Sequence, residues 1–133
     1  MPEISLLSPR TLTSLASPQA GTLPPAGKRL GNLLWNGPNS WLLLDDDAAP
    51  FAARTTDQSD GFTLIAVSGP DAVATLKKLL SIDVERFGAD DVALTQAAHI
   101  PVKLWREEGT YVLACFRSYA NSLHHALAHA ARG

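Results

Sequence analysis

Three histidines near the C-terminus, His124, His125 and His129, are the first residues whose types and spacing could do chemistry. His125 and His129 stand four apart, so on a helix they would share a face and could both reach one metal ion. A zinc-protease helix also needs a glutamate beside the first histidine, and Ala126 occupies that place. No second ligand cluster is evident, so a solvated helix face is expected. Asp45, Asp46 and Asp47 could suggest a metal site, but adjacent side chains on an extended chain point apart, and ligands must converge from separate segments. They read as a strand end turning into a loop. Cys115, the only cysteine, alternates with Leu113 in an apolar run. It reads as a buried small hydrophobe, since a nucleophile wants a basic partner and partial exposure; Arg117 is the cation nearby. His99 precedes Ile100-Pro101 and reads as a structural or edge position in a strand. Gly37 and Gly69 each stand alone before a proline, unlike phosphate-binding loops. The helix start at Ser68–Asp71 could take an anion, but Asp71 in its first turn opposes one. No Gly-x-Ser-x-Gly elbow marks a nucleophile. No catalytic, cofactor-binding or metal-ligating residue is therefore expected on this chain.

The elements that would position these residues follow from periodicity. Residues 1–30 are punctuated by Pro2, Pro9, Pro18, Pro24 and Pro25 and read as an irregular, Pro-rich, apolar arm. A single domain is expected over residues 31–133. Leu33–Leu44 reads as a hairpin around Asn36-Gly37-Pro38-Asn39, with Trp35 and Trp41 facing each other. Residues 45–60 read as a loop, and Gly61–Val67 as a strand. A helix follows over 70–81, with Ala72, Val73, Leu76, Leu79 and Leu80 at helical spacing. One strand lies within Leu94–Trp105, with Ile100, Val102 and Leu104 on one face. It forms a hairpin with Thr110–Phe116. Ser118 can cap a last helix to about Ala131, with Tyr119, Leu123, Ala126, Leu127 and Ala130 as its apolar stripe. The order predicts an α+β domain: an antiparallel or mixed sheet, two helices on one face, in a split βαβ arrangement. The early hairpin can complete that sheet.

Composition narrows the class. With 133 residues the chain fits one domain and can bury a core without disulfides, which a single cysteine excludes in any case. No apolar run approaches the ~18 residues of a membrane helix. The start, Met1-Pro2-Glu3-Ile4, lacks the features of a signal peptide, so a cytoplasmic protein is expected. The net charge of −2 disfavours a nucleic-acid partner. Charge is uneven: +2 over 1–44, −6 over 45–91 and +2 thereafter. Charged residues make up 18% of the chain, below the roughly 25% of a typical soluble domain. That depletion is also what an interface core shows.

Several segments resemble a known family. Leu34-Trp35-Asn36-Gly37-Pro38-Asn39-Ser40-Trp41-Leu42-Leu43 is similar to the Trp-x-Gly-Pro-x-x-Trp segment of the gamma subunit of heterotetrameric sarcosine oxidase. In the same order follow Ser68-Gly69-Pro70-Asp71-Ala72, Ile82-Asp83-Val84, Thr95 with Ile100-Pro101-Val102-Lys103-Leu104-Trp105-Arg106, and Arg117-Ser118-Tyr119-Ala120. Leu23-Pro24-Pro25-Ala26-Gly27 lies upstream. Together they span about residues 20–131. The resemblance implies a fold like the folate-binding domains of aminomethyltransferase (T-protein) relatives. It also implies a non-catalytic small subunit of a flavin-dependent oxidoreductase. FAD, FMN, NAD and tetrahydrofolate would then sit on larger, flavin-carrying partner subunits, with no cofactor on this chain. The N-terminal region is shorter than the family's, so sarcosine and a related N-methyl or secondary amino acid both stand as substrates.

Trp35, Trp41, Trp105 and Tyr119 are the expected interface or core anchors, since aromatic residues serve as both. Two other readings remain. One is a free-standing folate-binding one-carbon module, for which Asp83 or Asp45 would supply the acid. The other is a plain protein-interaction adaptor.

Overall fold

The computed structural model describes residues 2–8 and 10–132; Met1, Pro9 and Gly133 lie outside the described residues. The fold is α+β, as expected, but it holds two antiparallel five-stranded sheets instead of one. The first sheet contains β1 (Glu3–Leu6), β7 (Phe62–Ser68), β10 (Thr110–Phe116), β9 (Ile100–Glu107) and β8 (Ala93–Ala97), in that spatial order. The second contains β3 (Arg29–Leu30), β4 (Leu33–Trp35), β5 (Ser40–Leu44), β2 (Leu12–Ala16) and β6 (Arg54–Asp57). Helices α1 (Ala72–Lys77) and α2 (Ala120–Arg132) cover one face of the first sheet. Strands β7 and β9 run in the same direction with β10 between them, the split arrangement expected of this order.

Side-chain parity explains the layering. Along β10, Tyr111, Leu113 and Cys115 face the helices, packing with Leu76 of α1 and Leu123 and Leu127 of α2. Val112 and Ala114 face the other way, into a second core with Leu12, Leu34, Leu42 and Leu44 of the second sheet. Since β10 is apolar on both faces, it reads as a continuous hydrophobic run. The second sheet is covered on its far side too. There Leu15, Leu33, Leu43 and Trp41 pack against Leu23, Ala48 and Phe51 of the connecting segments. Trp105 of β9 is fully buried between the sheets.

The early hairpin forms as expected, with Trp35 and Trp41 in register, but it belongs to the second sheet. The physical reason is that the first sheet has two apolar faces, and the helices can cover only one. Residues 1–30 are not an irregular arm: they supply β1, β2 and β3. Their described prolines fall outside the strand spans, which leaves every ladder amide intact. The stretch 45–60 contains β6, whose four residues are all exposed. A strand with no buried face leaves no hydrophobic periodicity to read. The single strand expected within Leu94–Trp105 is two, β8 and β9, joined at Ala98-His99. His99 is therefore a turn residue. Both Ala98 (φ 50°) and His99 (φ 66°) adopt the left-handed region that such turns usually give to Asn-Gly, so no turn signal marks them. Helix α1 is shorter than 70–81, its last apolar residues continuing as turns through Leu80. Helix α2 starts after a 3-10 turn at Arg117–Tyr119, so Ser118 is not its cap. No described helix is long and apolar enough to cross a membrane.

Arg10 ties the layers at one end. Its guanidinium bonds Asp45, just past the end of β5 (2.8 Å), and Glu107 at the end of β9 (2.6 Å), so it bridges the two sheets. At the middle, the Trp105 indole nitrogen is buried and meets no acceptor among the described residues. Its contribution is then packing and not polar. Replacing Trp105 by alanine should cost about 3–5 kcal/mol of unfolding free energy. Trp105→Phe should restore most of that loss, because no indole hydrogen bond is forfeited. Urea denaturation of both variants checks the pair of values.

Candidate docking site

The inter-sheet face of the first sheet is longer than the second sheet that covers it. At the end carrying the start of β7 and the end of β10, the cover stops. Phe62 and Phe116 are in register there, and their rings stack with centroids 5.0 Å apart. Phe116 is 49% exposed, unusual for a phenylalanine on a strand. Two open clefts meet at this aromatic pair. One, of about 390 Å³, is lined by Phe62, Leu94, Gln96, Pro101, Lys103 and Phe116, among others. The other, of about 440 Å³, is more polar and adds Asn36, Asp57, Gln58 and Asp60. Leu6, Leu94 and Tyr119 are also exposed. Exposed apolar surface rimmed by polar residues marks interaction sites or ligand-binding grooves.

Lys103 lies where the clefts join. Strand parity places it on the same face as Trp105 and Pro101, between Leu94 of β8 and Ala114 of β10. Its ammonium donates a hydrogen bond to Asn36 Oδ1 and lies 5.4 Å from the centre of the Phe62 ring. It forms no ion pair among the described residues. Burial pushes its pKa below the ordinary lysine value, because the charged form loses water without gaining a counter-ion. Asn36 belongs to the β4–β5 turn, which Gly37 (φ 110°) allows to bend. The turn's tip thus reaches from the second sheet to the first.

The residues singled out by type and spacing do not converge. His125 and His129 are exposed on α2, and His99 is in the β8–β9 turn. No group of three or more metal-binding side chains occurs among the described residues. Asp45 accepts from Arg10 and from the Thr11 amide, and Asp47 accepts from the Ala49 amide. Asp83 lies exposed beside Arg86. Neither Asp45 nor Asp83 lines the Lys103 clefts. Cys115 is fully buried facing the helices, and burial pushes its thiol pKa up. Of the four aromatic anchors, Trp105 is in the inter-sheet core, and Trp41 is half-buried with its indole donating to the Pro24 carbonyl (3.1 Å). Trp35 is half-buried and Tyr119 is 44% exposed. Sequence reasoning missed Lys103, Phe62 and Phe116. The available signal was parity: Lys103 is two residues from Trp105 and so shares its inward face.

No family model and no curated protein matches the chain. Solved structures do. One is a chain of the heterotetrameric sarcosine oxidase from Corynebacterium sp. U-96 in complex with pyrrole 2-carboxylate. It aligns with a TM-score of 0.84 over 97% of this chain and 83% of its own, at 23% identity. The two chains share a fold, which is the fold that the ordered motifs lead one to expect. Two of those motifs touch in space, through Asn36 and Lys103.

Two measurements follow from the electrostatics. Lys103 has a folded pKa depressed from its ordinary value of 10.5. The folded state therefore binds fewer protons than the unfolded state over the alkaline range just below that value, and stability rises with pH there. The cost of burying the charge is fully present at neutral pH. Lys103→Met should melt above the wild type at pH 7, and the gap should close as pH approaches 10. Cys115 should resist a thiol reagent in the native state and react on unfolding in urea; rapid native labelling would contradict its burial.

Proposed function

We propose that this chain is a non-catalytic, gamma-type small subunit of a cytoplasmic, multi-subunit flavin-dependent oxidoreductase. Its substrate is sarcosine or a related N-methyl or secondary amino acid. The observation that carries the reading is the likeness along 97% of the chain to a chain of a heterotetrameric sarcosine oxidase. Phe116, exposed where the second sheet ends and stacked on the half-buried Phe62, supports it by offering a surface for a larger chain. In this reading FAD, FMN, NAD and tetrahydrofolate belong to the larger subunits, and this chain contributes packing. Tyr119, exposed just beyond Phe116, joins that contact, while Trp105 keeps the two sheets at the spacing that presents it.

The test is to tag the full chain in its native cell, purify it gently and examine the eluate. A yellow eluate with flavin absorbance near about 450 nm, containing larger chains and bleached by sarcosine or another N-methyl amino acid, is expected. A colourless eluate holding this chain alone would overturn the proposal.

A further inference from the structure

Lys103 is an ammonium in a cleft whose walls are Phe62, Phe116, Leu94 and Pro101. A half-buried cation normally pairs with a carboxylate, since losing water without gaining a counter-ion is costly. Its partners here are one neutral amide oxygen and one aromatic face. Arg10, Lys28 and Lys77 pair with carboxylates, whereas Arg29, Lys78 and Arg106 bond backbone carbonyls; Lys103 differs from these in standing inside an apolar cleft. Lys103 is also held in place, because Asn36 fixes its tip and strands flank its stem on both sides. The arrangement is a preformed cleft, apolar on the side of Leu94 and Pro101, with one ammonium inside that forms no ion pair among the described residues; the carboxylates of Asp57 and Asp60 line the adjoining polar cleft.

From this geometry we infer that the cleft docks a segment of a partner subunit in which an aspartate or glutamate is flanked by apolar side chains, the carboxylate pairing with Lys103 and the apolar neighbours packing on Phe62 and Phe116. Charge complementarity selects this occupant. A wholly apolar segment would leave the ammonium more deeply buried and still unpaired, and a basic one would repel it. Depression of the lysine pKa by burial agrees, because the incoming carboxylate would reverse it. The inference rests on the subunit role proposed above and adds to it the place and chemistry of the contact.

Zero-length carbodiimide coupling tests it directly, because that reagent joins an amine to a carboxylate only when the two already touch. The purified complex would be coupled, digested and read by mass spectrometry. The expected product is a Lys103 peptide joined to an Asp or Glu of the flavin-bearing chain. Lys103→Glu should cut the co-eluting flavin at least tenfold, and Lys103→Gln, which keeps much of the stem, should also weaken it. Lys103→Arg should keep the complex and lose the crosslink, while Arg132→Glu at the far end of α2 should change neither. Circular dichroism melts of each variant separate lost docking from lost fold. A flavin-bearing complex that survives Lys103→Glu at wild-type yield, with no crosslink from Lys103, would overturn this inference and leave the subunit role standing. Absence of any flavin chain from the wild-type eluate would remove both. Binding of phenylpropionate to the free chain, with the complex indifferent to Lys103→Glu, would assign the cleft to a small carboxylate instead and overturn the docking.

Discussion

The first sheet has two apolar faces, and everything else in the fold answers that constraint. Leu113 and Val112 are neighbours on β10, yet they point into different cores. Each needs a cover. Helices α1 and α2 supply one, and the β3–β6 sheet supplies the other. Removing either layer would expose a wall of Ile, Val and Leu to water, at about 25 cal/mol for each Å². The second sheet is then obliged to be apolar on its inner face, through Leu12, Leu34, Leu42 and Leu44. Its own outer face is closed by the connecting segments that carry Leu23, Ala48 and Phe51. The sparse charge of the sequence is the compositional trace of so many covered faces.

The cleft around Lys103 arises from the same constraint, as an imperfect match of lengths. The cover is complete over Trp105 and Leu64 and stops before Phe116. At that border the β4–β5 turn extends a single amide, Asn36, to a lysine of the other sheet. One polar contact therefore spans the seam at the place where apolar packing ends. Arg10 performs a matching task at another border through its two carboxylates. The sheets are joined by oil in the middle and by hydrogen bonds at the margins, so their relative position is fixed in the plane as well as across it.

Much of the fold was legible where one residue face met one environment. Helix α2 and the β9–β10 hairpin follow from their own periodicity, and the Trp35–Trp41 pair from its turn. Strand β6 was illegible because Arg54–Asp57 has no buried side chain to announce it. The β8–β9 turn was hidden because Ala98 and His99 tolerate a conformation that turn residues usually signal. The second sheet could be recognised as strands but not as a separate layer, since parity shows which side chains share a face and not what lies opposite. The site suffers most from this. Phe62 and Phe116 are 54 positions apart in the chain, and only the pairing of β7 with β10 makes them neighbours. The histidines and aspartates drew notice by type, whereas Lys103 matters by environment.

The strand order also sets a timetable. During synthesis the five strands of the second sheet are all complete by Asp57, so their ladders can pair while the rest of the chain is still being made. The first sheet cannot. Its central strand, β10, is the last of all to emerge, and β7 waits without that neighbour for more than 40 residues of further translation. During that interval Leu64, Ile65, Ala66 and Val67 form an apolar segment lacking one of its two strand neighbours, the kind of exposure that nascent chains pass to chaperones. Completion of β10 closes the sheet at its centre. Until then the inner face of the second sheet, Leu12, Leu34, Leu42 and Leu44, also lacks the strands it packs on, so both apolar faces wait for the last strand.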